Sequence, residues 1–471
     1  MTRDLLIELV YIFGFIVIIY FIILTILYTF ILFFSFKYVY KYFWYDSTSN
    51  FHKIIRYDFN KLHDHGASLP GITVGISIYN KNALFLDSIY SVLRSSYKNF
   101  ELIVCNDGSK DDTLEKLIDE FDLELIDFNY VEIIKTSKIK NIYKSKKYPH
   151  MFVVDKLKNA GLSDSHNMNI NLSTKPYYMT LDSDSIMSKH TLSNFMATIF
   201  TGGSIVCVGG SVHIANGCII KKGKIIESNV SKNAVESLQV NEYLRSHVFG
   251  RTGWNYLGGA IGLSGTSSIF EKKKLFEVNG FDLDTYSHDL EVVIRIQNNI
   301  AEHNEPCEIH FTPSAQVWTL VPSTLKEFII QRNHWQRGTL KSIFRYLPNA
   351  IKLFPSKFSL RYLLFIYLEI LGVYVEFISY FLVIISLLLG IISWKYTVIL
   401  FLIGWFYLMI LTIINNIIDG LSFDAYGKSD SLGILLLNTT LETFGFRQVY
   451  IFTNVFATFH YFINRLRGKP L

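Results

Sequence analysis

Apolar residues are concentrated at the two ends of this chain, and polar and apolar residues are mixed in the segment between them. A nearly continuous apolar run extends from Leu5 to Phe36, with Glu8 as its only charge. It is longer than the roughly 20 residues that cross a bilayer. The apolar core of a secretory signal is shorter and precedes a small-residue cleavage site, so this run predicts a retained transmembrane anchor.

The C-terminal end of the chain holds three further apolar blocks. Two of them, at about 362–393 and 396–418, predict transmembrane helices. The third block, at about 432–462, is interrupted by Glu442, Arg447 and His460. It could therefore span the membrane, re-enter it or lie at its surface.

The middle segment alternates short apolar runs with helical patterns. Strands are predicted at 72–78, 100–105 and 177–181, and a helix at about 84–94 lies between the first two strands. Ser109 is expected to cap the helix after the second strand, with Asp112 completing a capping box. Alternation of strands and helices predicts an α/β fold, with a mostly parallel sheet covered by helices.

A polar or aromatic side chain follows each of these predicted strands. Tyr79 follows the first, Asp107 the second, and Asp182 and Asp184 the third. Ligands bind beyond the carboxyl ends of parallel strands. Two carboxylates at i and i+2 of an extended chain point the same way and repel unless a cation lies between them. Such oxygens suit Mg²⁺ or Mn²⁺ carrying a substrate phosphate, although each residue alone also suits a turn or a core position.

Three later features are candidates for a second part of the site. The small residues at 262–266 allow a ligand to approach the backbone closely. Asp289 opens a predicted amphipathic helix, where it is either a first-turn acid or a general base. Gln331 and Trp335 lie in an amphipathic helix predicted at 324–345 along the inner membrane surface, where a tryptophan also needs no catalytic role.

Composition and charge indicate a membrane protein with a soluble centre. Of the 471 residues 50% are hydrophobic, and the formal net charge is 45 − 40 = +5. This mild excess gives no reason to expect a nucleic-acid partner. The four cysteines show no CxxC or metal-ligand spacing, so reduced thiols in a cytoplasmic domain are expected.

The lysines beside the first apolar run predict the orientation. Lys37, Lys41, Lys53 and Arg56 follow the run, and only Arg3 precedes it. Three cations, Arg465, Arg467 and Lys469, follow the last apolar block. By the positive-inside rule, the middle segment and the C-terminus are cytoplasmic, which requires two or four later crossings. The predicted organisation is multi-pass in the plasma or inner membrane. It comprises an anchor at 1–45, a cytoplasmic domain at 54–322, interfacial helices at 323–358 and a transmembrane region at 361–471.

The ordered motifs resemble those of the family 2 processive glycosyltransferases, the membrane β-glycan synthases. The motifs are Tyr79-Asn80, Asp107-Gly-Ser, Asp182-x-Asp184, a carboxylate at Asp289 and Gln331-x-x-x-Trp335. The segments 208–210, 214–218 and 331–338 are similar to the bacterial biofilm branch, which includes poly-N-acetylglucosamine and cellulose synthases. The resemblance covers nearly the whole chain.

The resemblance implies a GT-A-like nucleotide-sugar-binding domain, flanked by transmembrane helices and an interfacial amphipathic helix. Tyr79 and Asp107 would hold the uracil and ribose of a UDP-sugar. Asp182 would approach the nucleotide, and Asp184 would bind Mg²⁺ or Mn²⁺ on the diphosphate.

The resemblance also implies an inverting transfer onto a sugar acceptor. Asp289 would be the general base, and Gln331 and Trp335 would line the acceptor end at the mouth of a membrane channel. The implied function is extension of a β-linked polysaccharide, coupled to export. The alternatives are a single addition to a lipid-linked or surface acceptor and a non-catalytic membrane partner of another synthase. The donor sugar, the linkage and the need for an accessory membrane subunit stay open.

Four positions depart from the family pattern. Lys81 stands where the family usually has glutamate, and Leu162 where the branch has lysine. His288 replaces the acidic residue before the base, and His334 replaces the arginine before the tryptophan. All four lie around the expected diphosphate and base, so they predict an altered donor pocket, a slower turnover or a catalytically silent homologue.

Overall fold

A computed structural model describes residues 3–40, 69–81, 83–201, 203–422, 425–426 and 429–468. The strands are β1 Ile72–Ile78, β2 Phe100–Asn106, β3 Leu123–Ile126, β4 Ile139–Ser145, β5 Met151–Lys156, β6 Tyr177–Asp182, β7 Ser185–Met187, β8 Ser204–Ile214, β9 Ile219–Lys221, β10 Lys224–Glu227, β11 Ser268–Glu271 and β12 Cys307–Thr319. The helices of the middle segment are α2 Phe85–Leu93, α3 Thr113–Phe121, α4 Leu162–Leu172, α5 Thr191–Thr201, α6 Ala234–Leu244, α7 Arg251–Trp254, α8 Lys272–Glu277 and α9 His288–Glu302; α1 Arg3–Val39 precedes them.

The C-terminal part of the described chain is helical. Its helices are α10 Leu325–Lys352, α11 Lys357–Phe365, α12 Gly372–Leu388, α13 Trp394–Ser422, α14 Ser429–Leu441 and α15 Arg447–Leu466. A π-helical turn, Ile366–Leu371, joins α11 to α12, and another, Glu442–Phe446, joins α14 to α15.

Ten strands form one mixed sheet in the order β3-β4-β5-β2-β1-β6-β11-β8-β12-β7. Its central strands β5, β2, β1 and β6 are parallel. β11 joins β6 to β8 by antiparallel pairing, and β12 pairs with β8 in parallel and with β7 antiparallel. The parallel centre is the sheet that the alternation of strands and helices predicts.

Helices cover both faces of this parallel centre. On one face, Ile89 and Val92 of α2 and Phe121 of α3 pack with residues of β1 and β2. On the other face, Met168 and Leu172 of α4 pack with residues of β2 and β5. Strands buried on both faces are the reason for the continuous apolar runs in the sequence.

The expected capping box of α3 is wrong. The helix begins at Thr113, with Asp112 at the N-cap and no side-chain hydrogen bond to the backbone there. The hydroxyl of Ser109 instead accepts a hydrogen bond from the backbone N–H of Asn80, at 3.0 Å. Ser109 therefore ties the loop after β2 to the loop after β1, at the edge where the strands end.

Three described helices are long and apolar enough to cross a membrane: Arg3–Val39, Lys357–Leu388 and Trp394–Ile417. They correspond to the first three apolar blocks of the sequence. Lys41, Lys53, Arg56 and Lys469, which contribute to the predicted orientation, lie outside the described residues.

The fourth apolar block forms α14 and α15, which pack against the rest of the protein. The side chain of Asn438 on α14 donates to the carbonyl oxygen of Ser237 on α6, at 3.0 Å. α15 lies along α10. The helix predicted at 324–345 is α10, which Thr324 and Glu327 begin with a complete capping box.

Candidate active site

Three neighbouring parallel strands end at the same edge of the sheet and carry predicted site residues. In the registers of β1 with its neighbours, Ile78 pairs with Asn106 and Ser77 with Asp182. Tyr79, Asp107 and Asp184 therefore follow strand ends that lie side by side. Tyr79 is 45% exposed, so its ring is available to a ligand at this edge.

Asp182 and Asp184 are held by hydroxyl groups from two other segments. The backbone N–H of Asp182 donates to the hydroxyl of Thr266, at 3.1 Å. The hydroxyls of Ser185 and Thr319 donate to Oδ1 of Asp184, at 3.2 and 3.3 Å. These contacts orient the pair without neutralising either charge.

The electrostatic environment of this pair disfavours ionisation. Burial raises the pKa of Asp182 to about 7, and the charges of Asp184 and Asp289 contribute to the increase. Burial also raises the pKa of Asp184, although the Ser185 and Thr319 hydroxyls oppose this. Two carboxylates with raised pKa values on one edge form a site that a cation would stabilise.

Asp289 lies in the first turn of α9 and faces the same site. A Cβ placed on Gly265 would lie 3.4 Å from Oδ2 of Asp289, so the carboxylate rests against the Gly265 backbone. Thr266, the next residue, contacts Asp182. The small-residue segment at 262–266 thus bridges Asp182 and Asp289, which the sequence placed more than 100 residues apart.

α10 approaches the start of α9 very closely. A Cβ on Gly338 would meet Oγ of Ser287 at 2.4 Å and its backbone N at 2.7 Å, so only glycine fits there. Ser287 is the N-cap residue of α9, and its hydroxyl donates to the carbonyl oxygen of Trp335, at 3.3 Å. The contact places Trp335 beside the helix that carries Asp289.

Gln331 and Trp335 occupy the same side of α10, one turn apart. The Trp335 side chain is 41% exposed. The side-chain amide oxygen of Gln331 is buried and accepts no hydrogen bond within the described part of the chain. The exposed Trp335 ring suits the apolar face of a sugar.

Asp107 is buried and already bonded within the protein. Its carboxylate forms an ion pair with Lys156 and accepts hydrogen bonds from the backbone N–H groups of Ala160 and Gly161, at 3.0 and 2.9 Å. Lys156 is fully buried and also pairs with Asp164 on α4, at 2.7 Å. Although burial alone would lower it, the pKa of Lys156 is raised by its carboxylate partners. Asp107 therefore shapes the loop after β5.

Lys81, the first departure from the family pattern, faces acidic partners. Its ammonium group pairs with Asp112 and lies 3.7 Å from Asp111. Its backbone N–H donates to the Asp111 carboxylate, at 3.2 Å. Lys81 thus joins the loops after β1 and β2.

His288 lies in a cluster of rings beside Asp289. Its ring centroid is 6.1 Å from that of His166 and 5.8 Å from that of Phe281. Burial lowers the pKa of His288, while Asp289 opposes this. A neutral imidazole therefore takes the place of a second negative charge next to Asp289.

The two arginines that flank His334 on α10 have different surroundings. Arg332 pairs with both oxygens of Glu242, at 3.0 and 3.1 Å, and its guanidinium lies 4.3 Å from the centre of the Trp335 ring. Arg337 is buried and forms no ion pair within the described residues, and its guanidinium lies 5.3 Å from the centre of the Tyr286 ring. His334 stacks on the same Tyr286 ring, and burial and Arg337 lower its pKa. Of the two arginines, Arg337 is the uncommitted cation.

Asp182 and Asp184 are the side chains that could hold a divalent cation. Within the described ranges, no group of three or more His, Cys, Asp or Glu residues could hold an ion by itself. This is compatible with Mg²⁺, which typically uses one or two carboxylates and takes its other ligands from substrate phosphates and water. The donor set fits a metal that arrives with a phosphorylated substrate.

Sequence reasoning missed Lys156 and Thr319, and it included Thr266 only as part of the small-residue segment 262–266. Lys156 ends a buried strand, as Asn106 does, and that position could have indicated it. Thr319 carries no such signal, because its contact depends on β12 pairing with β7 far along the chain.

Family models match most of the chain outside the first span. The model described as "Glycosyl transferase family 2" matches residues 73–258, and "Glycosyl transferase family group 2" matches residues 177–410. The matches include the strand ends with Asp107, Asp182 and Asp184, and also Asp289 and Trp335. The sheet and its site define a GT-A-like glycosyltransferase. The chain belongs to the family 2 glycosyltransferases, in agreement with the resemblance read from its motifs.

The curated relatives include bacterial polysaccharide synthases. The poly-beta-1,6-N-acetyl-D-glucosamine synthase of Staphylococcus aureus (strain COL) is 26% identical over 318 residues, which is 67% of this chain and 65% of the relative. The synthase of the same name from Staphylococcus epidermidis is 26% identical over 299 residues, 63% of this chain and 61% of the relative. The similarity thus spans slightly less than two thirds of these relatives.

Among solved structures, the mannosyltransferase PcManGT from Pyrobaculum calidifontis, in complex with GDP-Man and Mn²⁺, is similar with a TM-score of 0.47 and 12% identity. The match covers 88% of this chain and 99% of that one.

Proposed function

We propose that this protein transfers a sugar from a UDP-sugar to a growing β-linked polysaccharide at the membrane, with inversion at the anomeric carbon. The observation that carries the proposal is that Asp182 and Asp289 meet at one short segment. The backbone N–H of Asp182 donates to the Thr266 hydroxyl, and the Asp289 carboxylate lies against Gly265. The charges of Asp184 and Asp289 both contribute to the raised pKa of Asp182. The curated relatives, named as poly-N-acetylglucosamine synthases, support a polysaccharide product and UDP-N-acetylglucosamine as the first donor to test.

In this proposal the donor binds along the strand ends. Tyr79 stacks on the uracil, and the loops that Asp107 shapes hold the ribose. Asp182 and Asp184 would hold Mg²⁺ or Mn²⁺ with the diphosphate, and the cation would supply positive charge for the leaving UDP. Arg337 supplies a second positive charge for that diphosphate, since His334 is neutral and Arg332 is engaged by Glu242.

Asp289 acts as the general base on the acceptor. Its carboxylate takes the proton of the acceptor hydroxyl as that oxygen attacks the anomeric carbon. One displacement releases UDP and inverts the configuration, so a second nucleophilic carboxylate is not needed. Trp335 and Gln331 position the acceptor sugar beside the start of α9, where Ser287 fixes α10.

Charged side chains among the C-terminal helices support export of the product. Glu376, within the second candidate span, pairs with Arg447 through two hydrogen bonds of 2.7 and 2.6 Å. Arg245 pairs with Glu442 nearby. Of these residues only Glu376 lies within a candidate span, and ionisable residues in spanning segments typically face a bundle interior or a polar pathway. We therefore propose that the polymer leaves the cytoplasmic catalytic domain along this span.

A labelled-donor assay tests this proposal. Membranes containing the protein are given UDP-N-acetylglucosamine, UDP-glucose or UDP-galactose with Mg²⁺ or Mn²⁺, and released UDP and product length are measured. We expect metal-dependent UDP release and a ladder of long products. Release with single-sugar products would instead indicate a single-addition transferase. An absence of UDP release with every donor would contradict the enzyme proposal.

The base assignment has its own variant and control. Asp289→Asn should lower kcat by about 10²–10⁴, the usual contribution of a positioned general base. Asp284→Asn is the matched control, because Asp284 lies on the preceding exposed loop and pairs only with Lys341 among the described residues. If both variants keep the wild-type kcat, Asp289 is not the base.

A further inference from the structure

A cavity of about 280 Å³ lies outside the candidate active site. Its wall is formed by α2, β7, β12 and the β9–β10 hairpin. We call it the basic cavity, because Arg94, Lys189 and Lys224 line it and no acidic side chain of the described residues does. Its volume is near the lower limit for pockets that hold small organic ligands.

The three cations of the basic cavity are not neutralised by the protein. Within the part of the chain that the structure describes, none of the three side chains forms an ion pair. The Arg94 guanidinium donates one hydrogen bond, to the carbonyl oxygen of Lys222, at 3.2 Å. All three side chains are exposed. Three like charges around one cavity repel each other and attract an anion. A phosphate group, with several strong acceptor oxygens, suits such donors best.

The hairpin that supplies Lys224 is firmly attached, so the cavity is preformed. The backbone N–H of Gly223, at the hairpin turn, donates to the carboxylate of Asp87 on α2, at 2.7 Å. A Cβ on Gly223 would meet the backbone N of Ser91 at 2.3 Å, so hairpin and helix are in direct contact. A preformed site loses less freedom when it binds a ligand.

The floor of the basic cavity is the β7–β12 pair, and β7 begins directly after Asp184. Ile186 and Trp318 line the cavity and face each other in the register of β7 with β12. The preceding pair in that register is Ser185 with Thr319. The hydroxyls of this pair donate to Asp184. A ligand on Ile186 and Trp318 therefore contacts residues adjacent to those that orient the proposed metal ligand.

We propose that the basic cavity binds a small phosphate-bearing anion and that its occupancy regulates metal binding through the β7–β12 pair. The phosphate belongs either to a soluble metabolite or to a lipid headgroup. The regulatory part rests on the proposed function, whereas the binding part does not. The two parts therefore have separate tests.

Binding is tested on the full chain in neutral phosphatidylcholine nanodiscs, with inorganic phosphate as the probe and ³¹P line broadening as the measurement, in metal-free buffer. The double variant Lys189→Glu/Lys224→Glu should weaken phosphate binding about tenfold or more, as expected for lost charge-assisted hydrogen bonds. The control, Lys135→Glu/Lys147→Glu, has the same net charge but changes exposed lysines on either side of β4, at the far end of the sheet from β7 and the cavity. Equal losses in both variants, or none in either, would overturn the proposal.

Changing the nanodisc lipid distinguishes the two sources of the phosphate. If headgroups occupy the cavity, phosphatidylglycerol in the nanodisc abolishes the difference in phosphate binding between the cavity variant and the control. If a soluble phosphate is the ligand, the difference persists in both lipids.

Regulation is tested by the Mg²⁺ dependence of UDP release. Inorganic phosphate should shift the Mg²⁺ concentration for half-maximal rate by about fivefold in the wild type and the control variant, a typical allosteric coupling. The cavity variant should show no shift. A shift of the same size in the cavity variant would place the phosphate effect at the donor site and refute regulation through the basic cavity.

Discussion

The carboxyl group of Asp182 has a strongly raised pKa, and this makes the stability of the metal-free protein sensitive to pH. Its pKa is raised to about 7 by burial and by its carboxylate neighbours, whereas an unfolded chain ionises aspartate near pH 3.9. A raised acid pKa means that ionised Asp182 destabilises the folded state. The penalty is absent below about pH 4, grows as the pH rises and is complete above about pH 7.

Removing that charge should therefore stabilise the metal-free protein in alkaline solution. We expect Asp182→Asn to raise the free energy of unfolding by about 1–2 kcal/mol at pH 8, after screening by solvent, and to change it little at pH 4. Thermal unfolding in the absence of divalent cations measures this. The control is Asp119→Asn on the exposed side of α3. Destabilisation by Asp182→Asn at pH 8 would show that the Asp182 charge has a favourable partner.

The same charge should couple metal binding to pH. A cation must compete with the proton on Asp182, so Mg²⁺ or Mn²⁺ should stabilise the wild type more at pH 8 than at pH 6. In Asp182→Asn this pH difference should shrink. A metal effect that is independent of pH in the wild type would exclude Asp182 as a ligand.

The two arginines of α10 should affect different properties of the enzyme. Arg337→Ala should raise KM for the donor about tenfold or more, since a hydrogen bond to a charged phosphate is lost. In Arg332→Ala the ion pair with Glu242 and the contact with Trp335 are lost, so the acceptor side should be affected instead.

The double variant His334→Arg/Arg337→Ala checks this interpretation of Arg337. It moves the cation one turn back on α10, to the position at which the family pattern has arginine, and should restore donor affinity. Initial-rate kinetics over a range of UDP-sugar concentrations measure the effect. If Arg337→Ala leaves KM for the donor unchanged, Arg337 does not contact the diphosphate.

At the scale of elements, the contact between α9 and α10 aligns the base with the acceptor site. Gly338→Ala would place a methyl group within 2.4 Å of the Ser287 hydroxyl and so displace the start of α9. A shift of about 1 Å in a catalytic group can cost 10²-fold in rate. We therefore expect kcat to fall about 10–10²-fold while KM for the donor changes little, because the strand ends are untouched.

Gly404→Ala is the matched control for the α9–α10 contact. Gly404 lies within α13, also a long helix, and a Cβ there has nothing within 4 Å. Initial rates of UDP release in membranes should be near wild type for this variant. Equal kcat for Gly338→Ala and the wild type would mean that α9 tolerates the displacement.

The elements that the sequence predicted well are those with local signals. Continuous apolar runs indicated β1, β2 and β6, and α2, observed at Phe85–Leu93, lies within the predicted range. The proximity of Asp107, Asp182 and Asp184 followed from the rule that parallel strands end at one edge. The pattern could not show that Asp107 is bonded to Lys156, because β5 reaches this edge only through long-range pairing.

The arrangement of elements that depend on non-local pairing could not be predicted from the sequence. β11 and β8 lie between β6 and β12, so Thr266 and Thr319 reach the aspartates from segments far along the chain. The position of Asp289 is similar, since a first-turn acid of α9 looks the same whether or not it faces Gly265. The contact of Asp289 with Gly265, which makes a catalytic role plausible on geometric grounds, is visible only in the folded structure.

At the scale of the whole molecule, the described helices agree with an odd total number of crossings. α1 would be the first, and the helices ending at Leu388 and beginning at Trp394 would be the second and third. α14 and α15 pack on α6 and α10, which the proposal places on the cytoplasmic side, and they also contact the candidate spans α13 and α12. If neither helix crosses the membrane, the domain and the C-terminus share one side of it, as the positive-inside rule predicts.

Single cysteines labelled in intact cells by a membrane-impermeant maleimide test this topology. Ser393→Cys lies exposed between α12 and α13 and should react. Lys98→Cys on the sheet domain and Arg467→Cys after α15 should react only after the cells are permeabilised. The wild type is the background control, because its four cysteines are buried or partly buried. Labelling of Lys98→Cys in intact cells would place the catalytic domain outside, away from the cytoplasmic supply of UDP-sugars that the proposed function requires.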